Sequence, residues 1–327
     1  MATIYDVAAR AGVSAATVSR VFNGAPVSPD KVRQVLSAAS DLSFTPNRTA
    51  RRLRNQTSEL IALLIPDVEN PFFTALARGV EDRTQEASFS VVLCNTDDDP
   101  AKENKYLDIV DSEMMAGVIL APAAAGGDLL KLVSRGRPVV AVDRMTGLDI
   151  DAVMIDNRAA AIAATNALYD AGYQRIACIA GPRELEATEE RTIGWLQASE
   201  RRNPGFEPKR YLQHTNYRVD GGREAMRELL AMTEPPDAVL TTNNLLGVGA
   251  IQVLVEAGRT PPAFGVSVFG ELPFSTLAPD AITQVQLPAR HLGRTAASML
   301  LERIAGDTQP ARTVSLRATL ELGRRQD

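Results

Sequence analysis

Small and polar residues near the N-terminus have the types and spacing for hydrogen bonding along one exposed helix face. Thr3 and Ser14 are suitable N-caps, and each precedes a short stretch whose apolar residues recur at helical spacing. Gly12 lies between the two stretches and is expected to end the first helix. Val18 would point inward on the second helix and leave one face free for a DNA groove. The residues on that face are Ala15, Ala16, Thr17, Ser19 and Arg20. This order predicts a helix-turn-helix that reads DNA, with Thr3, Ser14 and Asn23 as further contacts.

Charge is distributed unevenly along the chain. Residues 1–58 hold eight Lys or Arg and three acidic residues, whereas the whole 327-residue chain has a formal net charge of −5. Only the N-terminal part therefore has the electrostatic character of a polyanion-binding protein. A third helical stretch, opened by Ser28 and Pro29, would complete a small all-α domain over residues 1–46. An Ala-rich helical domain without a DNA role is the alternative.

A basic segment at residues 47–58 follows the small domain. It could form two helical turns with Asn47 as the cap, too few to be stable alone, so we expect it to order on binding. Leu53 is its one large apolar residue and lies among arginines. This suits a minor-groove wedge, with Arg48 and the other arginines holding phosphates. A solvated linker in which Leu53 packs on the next domain is the alternative.

Beyond residue 58, continuous apolar runs of strand length alternate with helical stretches almost to the end of the chain. Buried strands between helices predict α/β architecture with doubly wound parallel sheets, and two lobes accommodate the length better than one wide sheet. Ligands of such sheets bind beyond the carboxyl ends of the strands. The corresponding segments are 66–73, 143–144, 156–157, 181–191, 243–244 and 270–274.

Composition argues against several other classes of protein. The chain is 45% hydrophobic, no apolar run approaches membrane-spanning length and the first residues lack a signal peptide, so we expect a cytoplasmic protein. Cys94 and Cys178 lie alone in apolar runs and are expected to be reduced core thiols. We expect no cofactor, no metal and no catalysis, because phosphate-binding and GxSxG elements are absent. An α/β sugar kinase or dehydrogenase, and a transport-type sugar-binding protein, are the alternatives.

Several short motifs now suggest a family. The N-terminal signature comprises Tyr5-Asp-Val-Ala, Ala-Gly-Val-Ser and Thr-Val-Ser-Arg20. The core motifs are Asn70-Pro-Phe-Phe73, Val142-Asp-Arg144, Ala180-Gly-Pro182, Arg191-Thr-Ile-Gly-Trp195 and Thr242-Asn-Asn244. On these motifs, essentially the whole chain resembles the lactose-repressor (LacI/GalR) family of bacterial transcription regulators.

The resemblance implies a periplasmic-binding-protein-like core over residues 59–327. Its first lobe would comprise approximately residues 59–155 and 287–313, and its second approximately 156–286 and 314–327. It also implies a repressor that binds palindromic operator DNA as a homodimer, away from any membrane. A small effector, in many relatives a sugar, would bind between the lobes.

The resemblance further implies roles for single residues. In the DNA-binding part, Arg20 would pair with a base edge or a phosphate, the alanines at 15 and 16 would make only apolar contacts, and Leu53 matches the family's minor-groove lever. The matched effector-binding positions are Asp143, Arg191 and Asn243 for hydrogen bonds, Tyr217 for stacking, and Phe72 and Phe73 in the first cleft loop. Carboxylate, guanidinium and amide groups beside aromatic rings suit a polyhydroxy ligand.

Each core position also has a structural alternative. Asp143 beside Arg144 could form only a loop ion pair, Tyr217 could belong to the lobe core, and Asn243 could simply cap the following helix. The chain departs from the family at Phe269-Gly-Glu-Leu-Pro273, where one effector-binding carboxylate is missing or replaced by Glu271.

Two further expectations concern the effector and the assembly. The loop at residues 183–190 is acidic, which makes a neutral or weakly charged polyol the expected effector. An apparent last strand at residues 313–322 leaves no room after it for a Leu-heptad tail, so we expect a dimer and no tetramer.

Overall fold

The computed structural model describes residues 2–22, 25–44, 58–123, 129–272 and 281–323, which fall into two compact units, Met1–Thr57 and Ser58–Asp327. The first unit contains three helices: α1 (Ile4–Ala11), α2 (Ala15–Phe22) and α3 (Pro29–Asp41). They share an apolar centre in which Val7, Val18 and Val35 have no exposed surface. The unit has the predicted three-helix architecture.

Local hydrogen bonds explain where the first two helices begin and end. The Thr3 backbone N–H donates to the Asp6 carboxylate (2.8 Å), and the Asp6 N–H donates back to the Thr3 hydroxyl (3.3 Å), which closes a capping box. Gly12 ends α1 with a φ of +64°, a conformation that glycine adopts without steric cost. Ser14 then caps α2, because its hydroxyl accepts the N–H of Thr17 (3.2 Å).

The second unit is an alternation of strands and helices. Its first segment contains β1 (Leu60–Ile65), α4 (Pro71–Glu86), β2 (Ser90–Asn95), α5 (Pro100–Ser112), β3 (Gly117–Leu120), α6 (Leu129–Ser134), β4 (Val139–Val142) and β5 (Asp151–Ile155). The next contains α7 (Asn157–Asp170), β6 (Ile176–Ala180), α8 (Glu186–Arg202), β7 (Leu212–His214), α9 (Val219–Leu230), β8 (Ala238–Thr241), α10 (Asn244–Glu256), β9 (Gly265–Phe269) and β10 (Thr283–Gln286). The last elements are α11 (Ala289–Ile304), β11 (Thr313–Leu316) and β12 (Thr319–Glu321).

These strands form two six-stranded sheets, one for each lobe, in the orders β11-β5-β4-β3-β1-β2 and β12-β10-β9-β8-β6-β7. The pairings are parallel except for that of β10 with β12, which is antiparallel. The prediction of one final strand over residues 313–322 is wrong, because β11 pairs with β5 in the first sheet and β12 with β10 in the second. Val314–Leu316 therefore lie in the first lobe, and the return to the second lobe comes later than the predicted residue 314.

Alternating side chains of the strands fill both faces of each sheet. In β1, Ile61, Leu63 and Ile65 pack in the core that contains residues of α4 and α11, whereas Ala62 and Leu64 pack with α5 and α6. All five have no exposed surface. Burial on both faces explains the continuous apolar strands, and it leaves the ends of the strands as the place for polar residues.

Glycines allow two of the helix pairs to approach closely. A Cβ atom on Gly79 of α4 would lie 2.0 Å from the carbonyl oxygen of Arg290, and one on Gly293 of α11 would lie 2.1 Å from that of Leu76. In the second lobe, a Cβ on Gly249 of α10 would lie 2.1 Å from a carbonyl oxygen of α9. The α4–α11 contact fixes the N-terminus of α11, which contributes to the cavity described below.

Other sequence expectations concern membrane segments, thiols and metals. No helix in the part of the chain that the structure describes is long and apolar enough to cross a membrane. Cys94 and Cys178 are free and buried, and burial raises the pKa of both thiols. Within the described ranges, no group of three His, Cys, Asp or Glu residues could hold a metal ion.

Candidate functional site

A cavity of about 260 Å³ lies at the carboxyl ends of the strands and is lined by both lobes. The first lobe contributes the loop before α4, the residues after β4 and the start of α11. The second lobe contributes the first turns of α8, the loop before α9, the start of α10 and the end of β9. All seven effector positions proposed from the sequence line this cavity: Phe72, Phe73, Asp143, Arg191, Tyr217, Asn243 and Glu271.

Arg191 is a buried cation held by neutral groups. Its side chain is on α8 and the residue is only 6% exposed. Its Nε donates to Asn157 Oδ1 (2.8 Å), its Nη1 donates to the carbonyl of Thr242 (2.6 Å), and its guanidinium carbon lies 4.7 Å from the centre of the Phe269 ring. It forms no ion pair with any described residue, so its charge is available to a ligand.

Asp143 is the complementary anion on the other lobe. It follows β4 with a φ of +63°, a left-handed conformation that is uncommon for residues other than glycine and is often found at functional sites. It is 7% exposed, and its carboxylate accepts no hydrogen bond from a described residue. Arg144 pairs with Asp98 and donates to the carbonyl of Pro122 (3.1 Å), so the structure does not show the alternative of a local Asp143–Arg144 pair.

Tyr217 forms an aromatic wall of the cavity. Its ring lies against Gly181, its hydroxyl is 2.5 Å from Thr188 Oγ1, and it also packs against the core of the second lobe. Asn243 caps α10, because its Oδ1 accepts the N–H of Leu246 (2.8 Å), and its Nδ2 donates to the Tyr217 carbonyl (3.4 Å). The capping alternative for Asn243 is therefore present in the structure.

The remaining predicted residues lie at the cavity wall. Asn70 caps α4 by accepting the N–H of Phe72 (3.0 Å), which fixes the turn that carries both phenylalanines. The Phe72 and Phe73 rings meet edge to face with centroids 5.0 Å apart, and Phe73 is buried. Glu271 follows β9 and is exposed at the cavity.

Five further polar residues of the cavity were not among the predicted site residues: Asn70, Arg144, Asn244, Arg290 and His291. Asn70, Arg144 and Asn244 lie in the segments that follow the strands, so the rule that ligands bind beyond the carboxyl ends of parallel strands could have identified them. Arg290 and His291 could not be identified in this way, because they come from α11, which returns to the first lobe after a crossover. Arg290 donates to Asp82 (3.0 Å from Nε), and this hydrogen bond lowers the pKa of Asp82.

In the N-terminal unit, four of the predicted DNA-reading residues of α2 are accessible to solvent, whereas Ala15 also packs against the apolar centre of the unit. Ala16 and Arg20 are exposed, whereas Ala15, Thr17 and Ser19 are partly exposed. Thr3 and Ser14 are exposed at the helix starts. The predictions for Asn23, Asn47, Arg48 and Leu53 lie outside the described residues.

A helix-turn-helix unit joined to two α/β lobes with a polar and aromatic cavity defines a DNA-binding regulator with a small-molecule-binding core. Residues 3–47 match the family described as bacterial regulatory proteins, lacI family, and residues 58–321 match that of periplasmic binding proteins and the sugar binding domain of the LacI family. The chain belongs to the LacI family. It is therefore a DNA-binding transcriptional regulator and not an enzyme, which confirms the prediction from the sequence.

Individual relatives cover nearly the whole chain. The ribose operon repressor of Halalkalibacterium halodurans is 34% identical over 306 residues, which are 93% of this chain and 91% of that protein. The structure of a transcriptional regulator CelR–cellobiose complex covers 98% of both chains with 30% identity and a TM-score of 0.72. A LacI-family regulator from Enterococcus faecium with bound ribose is 26% identical, with a TM-score of 0.71 over 80% of this chain and 96% of that one.

Proposed function

We propose that this regulator is a repressor whose operator binding is controlled by a neutral monosaccharide in the cavity between its lobes. The observation that carries this proposal is the opposite pair of buried charges, Asp143 on one lobe and Arg191 on the other, neither of which is neutralised by an ion pair among the described residues. A ligand with hydroxyl groups can donate to the carboxylate and accept from the guanidinium without adding charge of its own. A charged ligand would leave one of the two unpaired, which is costly in a buried site.

The size and the walls of the cavity favour a single sugar ring. A volume of about 260 Å³ is near the lower end of the roughly 300–1,000 Å³ that is typical of small-molecule sites, which suits a small ligand. Tyr217 and Phe72 offer flat surfaces for the C–H face of such a ring. The name of the Halalkalibacterium relative and the ribose bound to the Enterococcus protein make D-ribose the first sugar to test.

Calorimetric titration tests the charge and size of the effector. The full-length protein is titrated with D-ribose, cellobiose and D-ribose 5-phosphate. We expect the neutral monosaccharide to bind most tightly, because the small cavity favours a single ring over a disaccharide, and a phosphate group would bring further negative charge to a cavity that already contains Asp143 and Glu271. Tightest binding of the phosphate ester would overturn the proposal of a neutral effector.

On the DNA side, we propose Arg20 as the residue that reads a base. The alanines at positions 15 and 16 have no hydrogen-bonding side-chain groups, whereas Arg20 is exposed on α2 and forms no ion pair with any described residue. Its guanidinium suits bidentate pairing with guanine. Arg33→Ala is the matched control, since Arg33 is an exposed arginine of α3 paired with Asp30.

The assay compares operator and random DNA at one salt concentration, because phosphate contacts depend on salt. Arg20→Ala should lose roughly 1–3 kcal/mol of discrimination between the two DNAs, while Arg33→Ala should weaken both alike. If Arg20→Ala weakened binding to operator and to random DNA equally, as expected for Arg33→Ala, Arg20 would contact only the DNA backbone.

We further propose that the operator is palindromic and that a homodimer binds it. The twofold symmetry of such operators mirrors that of the protein, because each helix-turn-helix reads one half-site. Sedimentation of the free protein at micromolar concentration should give a dimer, and a stable tetramer would contradict this assembly.

A further inference from the structure

Tyr217 packs against a glycine at the phenol end of its ring. It lies in the loop between β7 and α9, and its phenol end rests on Gly181, the residue after β6. A Cβ atom at position 181 would lie 2.3 Å from Cζ and 2.4 Å and 2.6 Å from the two Cε atoms of the ring. These distances are below any van der Waals contact, so only glycine leaves room for the ring in this position.

A second contact fixes the outer end of the same ring. The phenol oxygen of Tyr217 lies 2.5 Å from the hydroxyl oxygen of Thr188, a short hydroxyl–hydroxyl hydrogen bond. Thr188 has no exposed surface and belongs to the first turn of α8, one turn before Arg191. The backbone of Tyr217 is also held, because its carbonyl accepts from Asn243 Nδ2 (3.4 Å).

We propose that Thr188 is a positioning residue that sets the place of the Tyr217 ring relative to Arg191 and thereby the selectivity of the cavity. This rests on the proposed function of the cavity as a sugar site. Gly181 stops the ring from one side, and the hydrogen bond ties its hydroxyl to the helix that carries the guanidinium. A bound sugar then contacts the Tyr217 ring and the Arg191 guanidinium at a fixed separation. This separation favours binding of one arrangement of hydroxyl groups over its epimers.

The alternative is that Thr188 only satisfies a buried hydroxyl and contributes to stability. Thr165 provides a matched control in the same lobe. It is equally buried, on α7, and its hydroxyl donates to the carbonyl of Ala161 (2.8 Å) away from the cavity. Thr165→Val removes the same group as Thr188→Val, so any cost common to both variants reflects a lost buried hydrogen bond.

The first experiment measures sugar affinity and discrimination. D-ribose, D-arabinose and D-xylose are titrated into wild type, Thr188→Val, Thr188→Ser, Tyr217→Phe, the Thr188→Val/Tyr217→Phe double variant and Thr165→Val. Thr188→Val should bind the preferred pentose roughly fivefold more weakly, the worth of one hydrogen bond, and discriminate less between epimers. Thr188→Ser should behave as wild type. Because Thr188→Val and Tyr217→Phe break the same hydrogen bond, the double variant should bind the sugar no more weakly than the weaker of the two single variants.

A second experiment needs no ligand. In deuterated protein with selectively protonated tyrosine and glycine, the Tyr217 ring should show a nuclear Overhauser effect to the Gly181 α-protons. The effect should weaken in Thr188→Val and persist in Thr188→Ser and Thr165→Val.

The two experiments separate the possible failures. Absence of sugar binding by the wild type would refute the proposed function, while the ring contact would still decide the role of Thr188. Unchanged affinity, discrimination and ring contact in Thr188→Val would overturn the positioning role, as would an equal loss of affinity in Thr165→Val.

Discussion

Replacing Arg191 by alanine should separate effector sensing from DNA binding. The guanidinium makes two hydrogen bonds to neutral acceptors, Asn157 Oδ1 and the Thr242 carbonyl, and lies over the Phe269 ring. A hydrogen bond from a charged group to a ligand contributes about 1.5–3 kcal/mol. The variant should therefore bind the effector about 10- to 150-fold more weakly.

The same change should have a small effect on stability. It removes two hydrogen bonds and a ring contact, but it also removes a buried cation that lacks an acidic partner among the described residues. Because Arg191 itself lines the cavity, its truncation should open space through which water can reach the two freed acceptors. We expect a net loss of about 1 kcal/mol or less.

The assay is a titration of operator DNA with and without the effector, alongside thermal unfolding. Arg202→Ala is the control, since Arg202 is also on α8, lies 5.7 Å from the centre of the Tyr169 ring and pairs with Asp170 outside the cavity. Arg191→Ala should keep operator affinity and lose the response to effector, and Arg202→Ala should keep both. A full response in Arg191→Ala would show that the effector binds elsewhere.

Three further predictions concern packing, pH and the basic segment. Gly249→Ala should cost about 1–3 kcal/mol in unfolding, because its Cβ would lie 2.1 Å from a backbone oxygen of α9, whereas Gly205→Ala, with open space around it, should leave the melting temperature unchanged. Glu103 is 3% exposed, and burial raises its pKa above the ordinary value of 4.5. The fold therefore loses stability as the pH rises through the pKa of Glu103 in the folded protein and the buried carboxyl becomes charged. Glu103→Gln should raise the melting temperature at pH 7 and lose that advantage below about pH 4.5; a pH-independent difference would contradict this. Leu53→Ala should weaken binding to operator more than to random DNA in competition assays, because a wedge contributes only where DNA is deformed, and equal losses would refute the wedge.

The parts of the site that follow from local rules were predictable. Asp143 follows an apolar strand, and Phe72 and Phe73 begin a helix after another, so the strand-end rule locates them without any tertiary information. These three residues line the same cavity because parallel strands place their carboxyl ends along one edge of the sheet. The alternation of strands and helices indicates that arrangement, and the resemblance to a family added the specific residues.

Other features depend on contacts between distant segments and have no local signature. The run at residues 313–322 reads as one strand, yet it divides between two sheets. Its first part pairs with β5, where Thr313 lies opposite Ala152, and its second part pairs with β10, so contacts between distant segments decide the division. Asn243 reads equally well in the sequence as a cap or as a ligand residue, and only the folded structure shows its Oδ1 accepting the N–H of Leu246. Arg290 reaches the cavity through close α4–α11 packing at Gly79, which no periodicity in α11 indicates.

The division of the charges between the lobes gives a physical basis for regulation. Asp143 belongs to the first lobe and Arg191 to the second, so a ligand that bonds to both is bound fully only while the lobes keep one arrangement. Such a ligand has different affinities for different lobe arrangements, which is the condition for shifting their populations. Couplings of this kind are typically about 1–3 kcal/mol and act equally in both directions. For the proposed sugar, operator DNA must therefore alter the affinity for the sugar by the same factor by which the sugar alters the affinity for operator, and a ligand with equal affinity for all lobe arrangements would produce neither effect.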